Sequence, residues 1–115
     1  MKLYNSLSRK LENFTPLNPP HVGVYTCGPT VYSFVTIGNW RTYLLSDFLI
    51  RVLKYSGFKP KHVMNITDVG HLTGDLSVGE DKVEQAAQAA GKTAWGVAEF
   101  YTNDFLNGFE KLNLI

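Results

Sequence analysis

Between residues 22 and 67 the chain runs as an apolar strand, a glycine-containing turn, a long helix and a second strand. This order constrains the fold more than any other feature. Val22–Cys27 is short, apolar and β-branched, and Gly28-Pro29 closes it, which predicts a buried strand. Trp40–Tyr55 carries apolar residues at helical spacing, and Lys61–Thr67 predicts the second strand. Such a βαβ unit has parallel strands and belongs to the α/β class.

The flanking segments predict a lead-in and two further helices. Residues 1–20 end in three prolines and predict an extended lead-in with a short edge strand at Lys2–Asn5. Residues 68–80 predict a loop, and Glu80–Ala90 a helix that Gly91 stops. Thr93 predicts the N-cap of a last helix.

Helical spacing also predicts which faces are buried. Gly57 stands where a helix C′ glycine is expected. The apolar face of the long helix comprises Tyr43, Leu45, Phe48, Leu49, Ile50, Val52 and Leu53. That of the last helix comprises Ala98, Tyr101, Phe105, Phe109 and Leu112.

Size and composition set outer bounds. A chain of 115 residues makes at most one small domain. Its formal net charge of +1 is too balanced to indicate nucleic-acid or membrane binding by bulk electrostatics. The sequence contains no run of about 18 apolar residues, so it predicts no membrane-spanning helix. The N-terminus lacks the apolar core of a signal peptide. The single cysteine excludes an internal disulfide and indicates a reducing, cytoplasmic compartment.

The predicted sheet is incomplete. Strands of parallel sheets are normally covered on both faces and paired at their edges, and the edge of the second strand has no predicted neighbour. We therefore expect the chain to be the front part of a longer protein. The alternative is that another chain supplies the missing half, and self-association through the open edge is one form of that.

The turn before the long helix carries the first candidate site. Free N–H groups and the helix dipole at a helix N-terminus attract anions, and phosphates are the usual ligands there. Gly38 admits close backbone approach, Asn39 offers an amide donor, and Thr36 offers a hydroxyl. The alternative is plain helix capping, since Thr and Asn are ordinary cap residues.

The ends of the two predicted strands carry the second candidate site. Cys27 at the end of the first strand is either a buried structural cysteine or a reactive or metal-binding thiol. The three histidines are not spaced as a metal site around it, and zinc needs about four ligands. Asn65–Asp68 ends the second strand at the carboxyl edge, where open α/β sheets bind ligands. The alternative there is a turn capped by Asp68.

Taken together, six segments resemble the N-terminal part of cysteinyl-tRNA synthetases, which are class I aminoacyl-tRNA synthetases. They span nearly the whole chain in the family's order. They are Cys27–Tyr32, the Ile37-Gly38 turn, Arg41–Tyr43, Asn65–Thr73, Gly79–Lys82 and Gly91–Trp95.

The resemblance implies a fold and an activity. The chain would be the first half of a Rossmann-like (HUP-type) catalytic domain, with the βαβ unit and two C-terminal helices over residues 1–115. The second half, the insertion and the anticodon-binding region would lie outside it. The complete enzyme would use ATP, with Mg²⁺, to convert L-cysteine to cysteinyl-adenylate and then load cysteine tRNA.

The resemblance also implies residue roles. Cys27 would be one ligand of a Zn²⁺ ion that holds the substrate thiol, the other ligands being absent. Gly28 and Thr67 would line the amino-acid pocket. Thr36 and Asn39 would be catalytic. The ATP-binding residues would be Pro29, Thr30, Thr36, Ile37, Gly38 and Asn39.

Three positions depart from the family pattern. Thr36 and Asn39 stand where histidines are usual; both can donate hydrogen bonds, but neither carries a charge near neutral pH. The same Thr-Ile-Gly-Asn turn occurs in tryptophanyl-tRNA synthetases, so it does not indicate a dead site. Trp40 replaces a small residue, and either packs under the loop or narrows the pocket.

Three hypotheses follow. The chain is the N-terminal part of a cysteine–tRNA ligase, inactive by itself; or of the related ligase that joins cysteine to an amino-sugar thiol precursor; or it is a stand-alone ATP- or partner-binding module without catalysis.

Overall fold

The computed structural model describes residues 1–68, 86–89, 91 and 93–115. The elements, in chain order, are β1 (Lys2–Asn5), β2 (Lys10–Asn13), β3 (His21–Thr30), α1 (Ile37–Tyr55), β4 (Lys59–Thr67) and α2 (Ala94–Lys111). Residues 86–89 are also helical. None of the described helices is long and apolar enough to cross a membrane.

The βαβ unit is confirmed, because β3 pairs with β4 in parallel, from His21↔Lys59 to Thr30↔Thr67. Both strands are longer than predicted. The prediction that Gly28-Pro29 closes the first strand was wrong: β3 continues to Thr30, with a shift in register after Cys27. From Cys27↔Asn65 to Thr30↔Thr67, β3 advances by three residues and β4 by two, so β3 carries one extra residue, as in a β-bulge.

The N-terminal lead-in is a hairpin. The predicted strand Lys2–Asn5 is confirmed, and it pairs antiparallel with β2, which was not predicted. Every residue of β2 is exposed. A strand without a buried face shows no alternation of apolar and polar residues, so its sequence carries no periodic signal.

Helix α1 begins three residues before the predicted start, because Thr36 caps it. Gly57 follows the helix with φ of 85°, as expected of a C′ glycine. The buried arc consists of Tyr43, Asp47, Ile50 and Leu53.

The predicted apolar face of α1 is only partly correct. Tyr43, Ile50 and Leu53 are buried, whereas Leu45, Phe48 and Val52 are exposed. No described element covers these three side chains. Their spacing marked them as apolar and helical, but only a packing partner determines burial.

Helix α2 has the predicted N-cap: the Gly96 N–H donates to Thr93 Oγ1 at 3.1 Å. Ala98 and Phe105 are buried as predicted, but Leu112 is exposed because it is the C-cap residue, where the helix ends. Most of the helix predicted for Glu80–Ala90 lies outside the described residues. The described part of that helix is residues 86–89, and Gly91 comes after it in a turn with φ of 62°.

Two clusters of buried side chains lie among the described residues, apart from the buried Val22, Ile50 and Leu53. The first contains Val31, Ala87, Val97 and Ala98. The second joins α1 to α2 through Tyr43, Phe105 and Leu114, with Trp40 and Met64 packed against it.

Trp40 packs against α2. Its ring stacks on Phe105 with centroids 5.5 Å apart and meets Tyr43 edge-on. Gly108 leaves the room for it, since a Cβ there would lie 2.5 Å from the indole ring. Trp40 therefore anchors the start of α1 to α2, in the cluster that also receives Val35 of the loop before α1.

The end of the chain is tied to α1 through Asp47. This buried carboxylate accepts hydrogen bonds from Arg51 Nε at 2.6 Å and from the Ile115 N–H at 2.9 Å. Arg51 also donates to the Asn113 carbonyl at 2.6 Å. Asp47 therefore fixes the position of the segment after α2.

Candidate active site

A cavity of about 280 Å³ opens where β3 ends and α1 begins. It lies at the carboxyl end of the sheet, where α/β folds bind ligands. Five of the predicted site residues line it, together with Tyr43 and the connecting residues 32–35. The five are Gly28, Pro29, Thr30, Thr36 and Asn39. The structure thus brings predicted residues at the end of β3 together with the two cap residues of α1.

The turn at the start of α1 is a reciprocal cap. The Asn39 N–H donates to Thr36 Oγ1 at 3.3 Å, and Asn39 Oδ1 accepts from the Thr36 N–H at 3.3 Å. The Thr36 hydroxyl donates to the same Oδ1 at 2.6 Å. The capping interpretation is therefore present in the structure, and it uses the Thr36 hydroxyl proton.

The cap leaves donors for a ligand. Asn39 Nδ2 and the N–H groups of Ile37 and Gly38 have no hydrogen-bond partner among the described residues. The first turn of α1 carries no acidic side chain. The N-terminal end of the helix dipole is therefore not neutralised locally and favours an anion.

Asn65 connects the two strand ends. Its Oδ1 accepts from the Gly28 N–H at 3.3 Å, and its Nδ2 donates to Thr67 Oγ1 at 2.9 Å. Gly28 is required for this approach, because a Cβ at that position would lie 2.1 Å from the Asn65 carbonyl oxygen. Thr67 does not line the cavity itself, but Asn65 hydrogen-bonds to both Thr67 and Gly28 and so connects the two residues.

Cys27 is exposed, which is contrary to the structural-cysteine interpretation. Tyr43 lines the cavity together with Gly28, the residue after Cys27. Burial is the main cause that raises the pKa of Tyr43 above the ordinary 10.0, and negative charge on Cys27 is the second. Tyr43 therefore stays a neutral hydrogen-bond donor through the physiological range.

Three predicted residues line other depressions. Ile37 is exposed, and with Gly38 it lines a second, larger groove of about 880 Å³ between α1 and the end of α2. Only their backbone N–H groups belong to the N-terminus of α1 described above. Asp68 lies beside a third depression next to α2.

A zinc site cannot be built from the described residues. No group of three or more His, Cys, Asp or Glu side chains within ranges 1–68, 86–89, 91 and 93–115 is placed to hold a metal. Cys27 offers a single accessible thiol, whereas zinc in proteins takes about four ligands.

Sequence reasoning did not select Tyr43 as a site residue, and it placed Asn65 in the candidate segment Asn65–Asp68 without giving it a role of its own. Both had a usable signal. Tyr43 follows Thr36 by seven residues, which is two helical turns, so the two share a face of α1. Asn65 and Thr67 are two apart on one strand and therefore point to the same side.

A parallel strand–helix–strand unit with a polar cavity between its strand end and helix N-terminus is typical of Rossmann-like α/β domains. The comparison with protein families goes further: the family described as "tRNA synthetases class I (C) catalytic domain" matches residues 13–115. The chain belongs to this family.

Curated relatives agree. The chain is 53% identical over 111 residues to a cysteine–tRNA ligase of Zymomonas mobilis, covering 96% of the chain and 22% of the relative. It is 50% identical to the corresponding ligase of Treponema denticola, covering 99% and 23%, and 49% identical to that of Borreliella burgdorferi, covering 100% and 24%. The chain therefore spans less than a quarter of the length of these relatives.

Proposed function

We propose that residues 1–115 supply the N-terminal half of the catalytic domain of a cysteine–tRNA ligase. The observation that carries the proposal is the cavity that joins the α1 N-terminus to the end of β3, in a chain about half identical to such ligases. The relatives cited carry this one name, so the amino-sugar ligase and the non-catalytic module are not favoured. Among the described residues no further strand pairs with β3 or β4, so their outer edges offer the rest of the sheet, or a second chain, a place to pair.

The proposed reaction has two steps. A carboxylate oxygen of L-cysteine attacks the α-phosphorus of ATP, the bond to the bridging oxygen breaks, and pyrophosphate leaves. The resulting cysteinyl-adenylate then acylates the 3′ end of cysteine tRNA. Neither step requires covalent chemistry on the enzyme, so catalysis depends on positioning and on stabilising phosphate charge.

The residues of the cavity match the first step. The free N–H groups at the start of α1 and Asn39 Nδ2 would hold the phosphate. Thr36 would act through Asn39, because its hydroxyl proton is donated to Asn39 Oδ1 and this contact orients the amide. Gly28 and Thr67, joined by Asn65, would form the wall against the amino acid.

Metal ions enter the proposal in two places. Mg²⁺ would accompany ATP. The Cys27 thiol would be one of the zinc ligands, because it is exposed at the end of the sheet that binds substrate. The remaining ligands would have to come from outside the described residues, and a bound zinc would supply thiol recognition, since thiolates are preferred zinc ligands.

The test is a chimera in which residues 1–115 replace the matching segment of the Zymomonas mobilis ligase. We expect cysteine-dependent exchange between ATP and pyrophosphate, with no exchange when serine replaces cysteine. The 115-residue chain alone should show none. A folded chimera that does not exchange, or strong exchange by the 115 residues alone, would contradict the proposal.

A substitution at Asn39 in that chimera tests whether this residue acts in catalysis or only caps α1. Asn39→Asp keeps the cap acceptor but loses the Nδ2 donor and adds a negative charge. We expect kcat to fall about 10²-fold or more, as for loss of a transition-state donor. Asn103→Ala, an exposed asparagine on α2, is the matched control. An unchanged kcat for Asn39→Asp would leave Asn39 with a capping role only.

A further inference from the structure

Tyr43 is the cavity residue for which the fold alone gives no explanation. Its side chain is 4% exposed and packs edge-on against Trp40 and Phe105. Phenylalanine would serve that packing equally well. Its hydroxyl forms no hydrogen bond with any of the described residues, although buried tyrosines normally find a partner.

The unpartnered hydroxyl is open to the cavity. No fully buried side-chain nitrogen or oxygen among the described residues lacks a partner. The Tyr43 oxygen must therefore be the part of the residue that remains accessible, and Tyr43 lines the cavity. Helical side chains lean toward the N-terminus, which directs this phenol back toward Thr36 and Asn39.

Three kinds of free group at the cavity or beside it can only or mainly donate hydrogen bonds. They are the Tyr43 O–H, Asn39 Nδ2 and the first N–H groups of α1, and α1 has no acidic residue in its first turn. This set fits anionic oxygen. Under the proposed function two such groups meet here: the α-phosphate of ATP and the carboxylate of cysteine.

The position of Tyr43 distinguishes them. It lines the cavity together with Gly28, which follows Cys27 in β3, and with Thr36 and Asn39 at the α1 N-terminus. The thiol end of the substrate would lie toward Cys27, and the phosphate toward α1. The group that must sit between them is the carboxylate, because it is the one that attacks the phosphorus.

We propose that the Tyr43 hydroxyl donates a hydrogen bond to a carboxylate oxygen of the amino-acid substrate and aligns it for attack on the α-phosphorus. This inference rests on the proposed function. It makes Tyr43 a substrate-binding residue that selects thiols bearing a carboxylate.

The test is Tyr43→Phe in the chimera, which keeps the ring and removes only the hydroxyl. Hydrogen bonds to charged groups correspond to about tenfold or more in binding. We therefore expect the KM for L-cysteine to rise by about that factor, while the KM for ATP stays unchanged. Tyr55→Phe, on the exposed face of the same helix, is the matched control.

Two inhibitors identify the group that is recognised. 3-Mercaptopropionate has the thiol and the carboxylate but no amine, and its inhibition constant should rise as the KM for cysteine does. Cysteamine has the thiol and the amine but no carboxylate, and its inhibition constant should not change. The melting temperature of the Tyr43→Phe variant, measured beside the parent, reports any loss of packing.

Each other outcome overturns the inference. Equal weakening of cysteamine would place the hydroxyl at the thiol end, and a raised KM for ATP alone would place it on the phosphate. Unchanged constants for every ligand would show that Tyr43 does not contact substrate. If the parent chimera does not use cysteine at all, the proposed function fails, and the inference fails with it.

Discussion

Trp40 occupies the space that a methyl group at position 108 would need. A Cβ on Gly108 would lie 2.5 Å and 2.6 Å from two carbons of the indole ring, where carbon–carbon contacts are normally about 3.5–4.0 Å. The ring is confined by Phe105, which stacks on it, and by Tyr43, which meets it edge-on. It therefore has little freedom to move aside.

Two effects oppose each other in Gly108→Ala. Replacing glycine by alanine inside a helix stabilises it by about 1 kcal/mol. Forcing an extra carbon into a packed contact costs about 1–3 kcal/mol. With about 2 kcal/mol for the clash, the free energy of unfolding should fall by about 1 kcal/mol, although the substitution favours the helix.

Removing the ring should reverse the sign. In a Trp40→Leu background the methyl group has room, so Gly108→Ala should raise the free energy of unfolding by about 0.5–1 kcal/mol. The coupling between the two positions is then about 2 kcal/mol, well above the usual departure from additivity at separate sites. Trp40→Leu alone should destabilise, because it leaves a gap against Phe105.

Urea denaturation of the four chains, followed by far-ultraviolet circular dichroism, measures this cycle without relying on tryptophan emission. Gly38→Ala is the control, because its added Cβ would lie 3.7 Å from the nearest atom, an ordinary contact. It should change the free energy of unfolding by about 0.5 kcal/mol or less, since it lies in the first helical turn. Stabilisation by Gly108→Ala in the parent would refute the packing described for Trp40.

Three further stability predictions concern the same chain. Asp47→Ala should lower the free energy of unfolding by about 2–3 kcal/mol, because it removes the carboxylate that accepts hydrogen bonds from Arg51 and from the Ile115 N–H. The control Asp104→Ala, at an exposed position, should cost under about 0.5 kcal/mol. Equal effects of the two variants in urea denaturation would argue against the role of Asp47 in holding the end of the chain. Thr93→Ala should cost about 1 kcal/mol by loss of the α2 N-cap, and an unchanged urea midpoint would contradict it. Burial raises the pKa of Tyr43, so its contribution is complete below its ordinary value of 10.0 and is lost as the pH rises above it. The alkaline loss of stability should be smaller in Tyr43→Phe, and a thermal melt series against pH tests this.

Local chemistry made part of the fold predictable. The parallel strands, the helix between them and the caps at Thr36, Gly57 and Thr93 each depend on a few neighbouring residues, and each is found. Helix caps are local because the side chain bonds a backbone group within a few residues. Element ends were less accurate: β3 runs through Gly28 because that glycine fits against Asn65, a contact from a distant part of the sequence.

Burial depended on partners that the sequence does not name. Spacing placed Phe48 and Ile50 on one broad apolar face of α1, yet Ile50 is buried and Phe48 is exposed. The buried arc instead includes Asp47, a charged residue that periodicity assigns to solvent. Its burial is tolerated because two hydrogen bonds from other groups satisfy the carboxylate.

Capping and anion binding need not exclude each other at Thr36 and Asn39. The cap engages the Thr36 hydroxyl and the Asn39 carbonyl oxygen, and it leaves the Asn39 amide nitrogen and the first N–H groups of α1 free. Both side chains are neutral, so they add no charge of their own, whereas a histidine pair would add charge when protonated. The positive potential at this turn therefore comes from the helix itself, and the cap that holds the first turn in place also keeps those N–H groups aimed at one point. A substitution that breaks the cap should consequently weaken anion binding even when every donor remains in the chain.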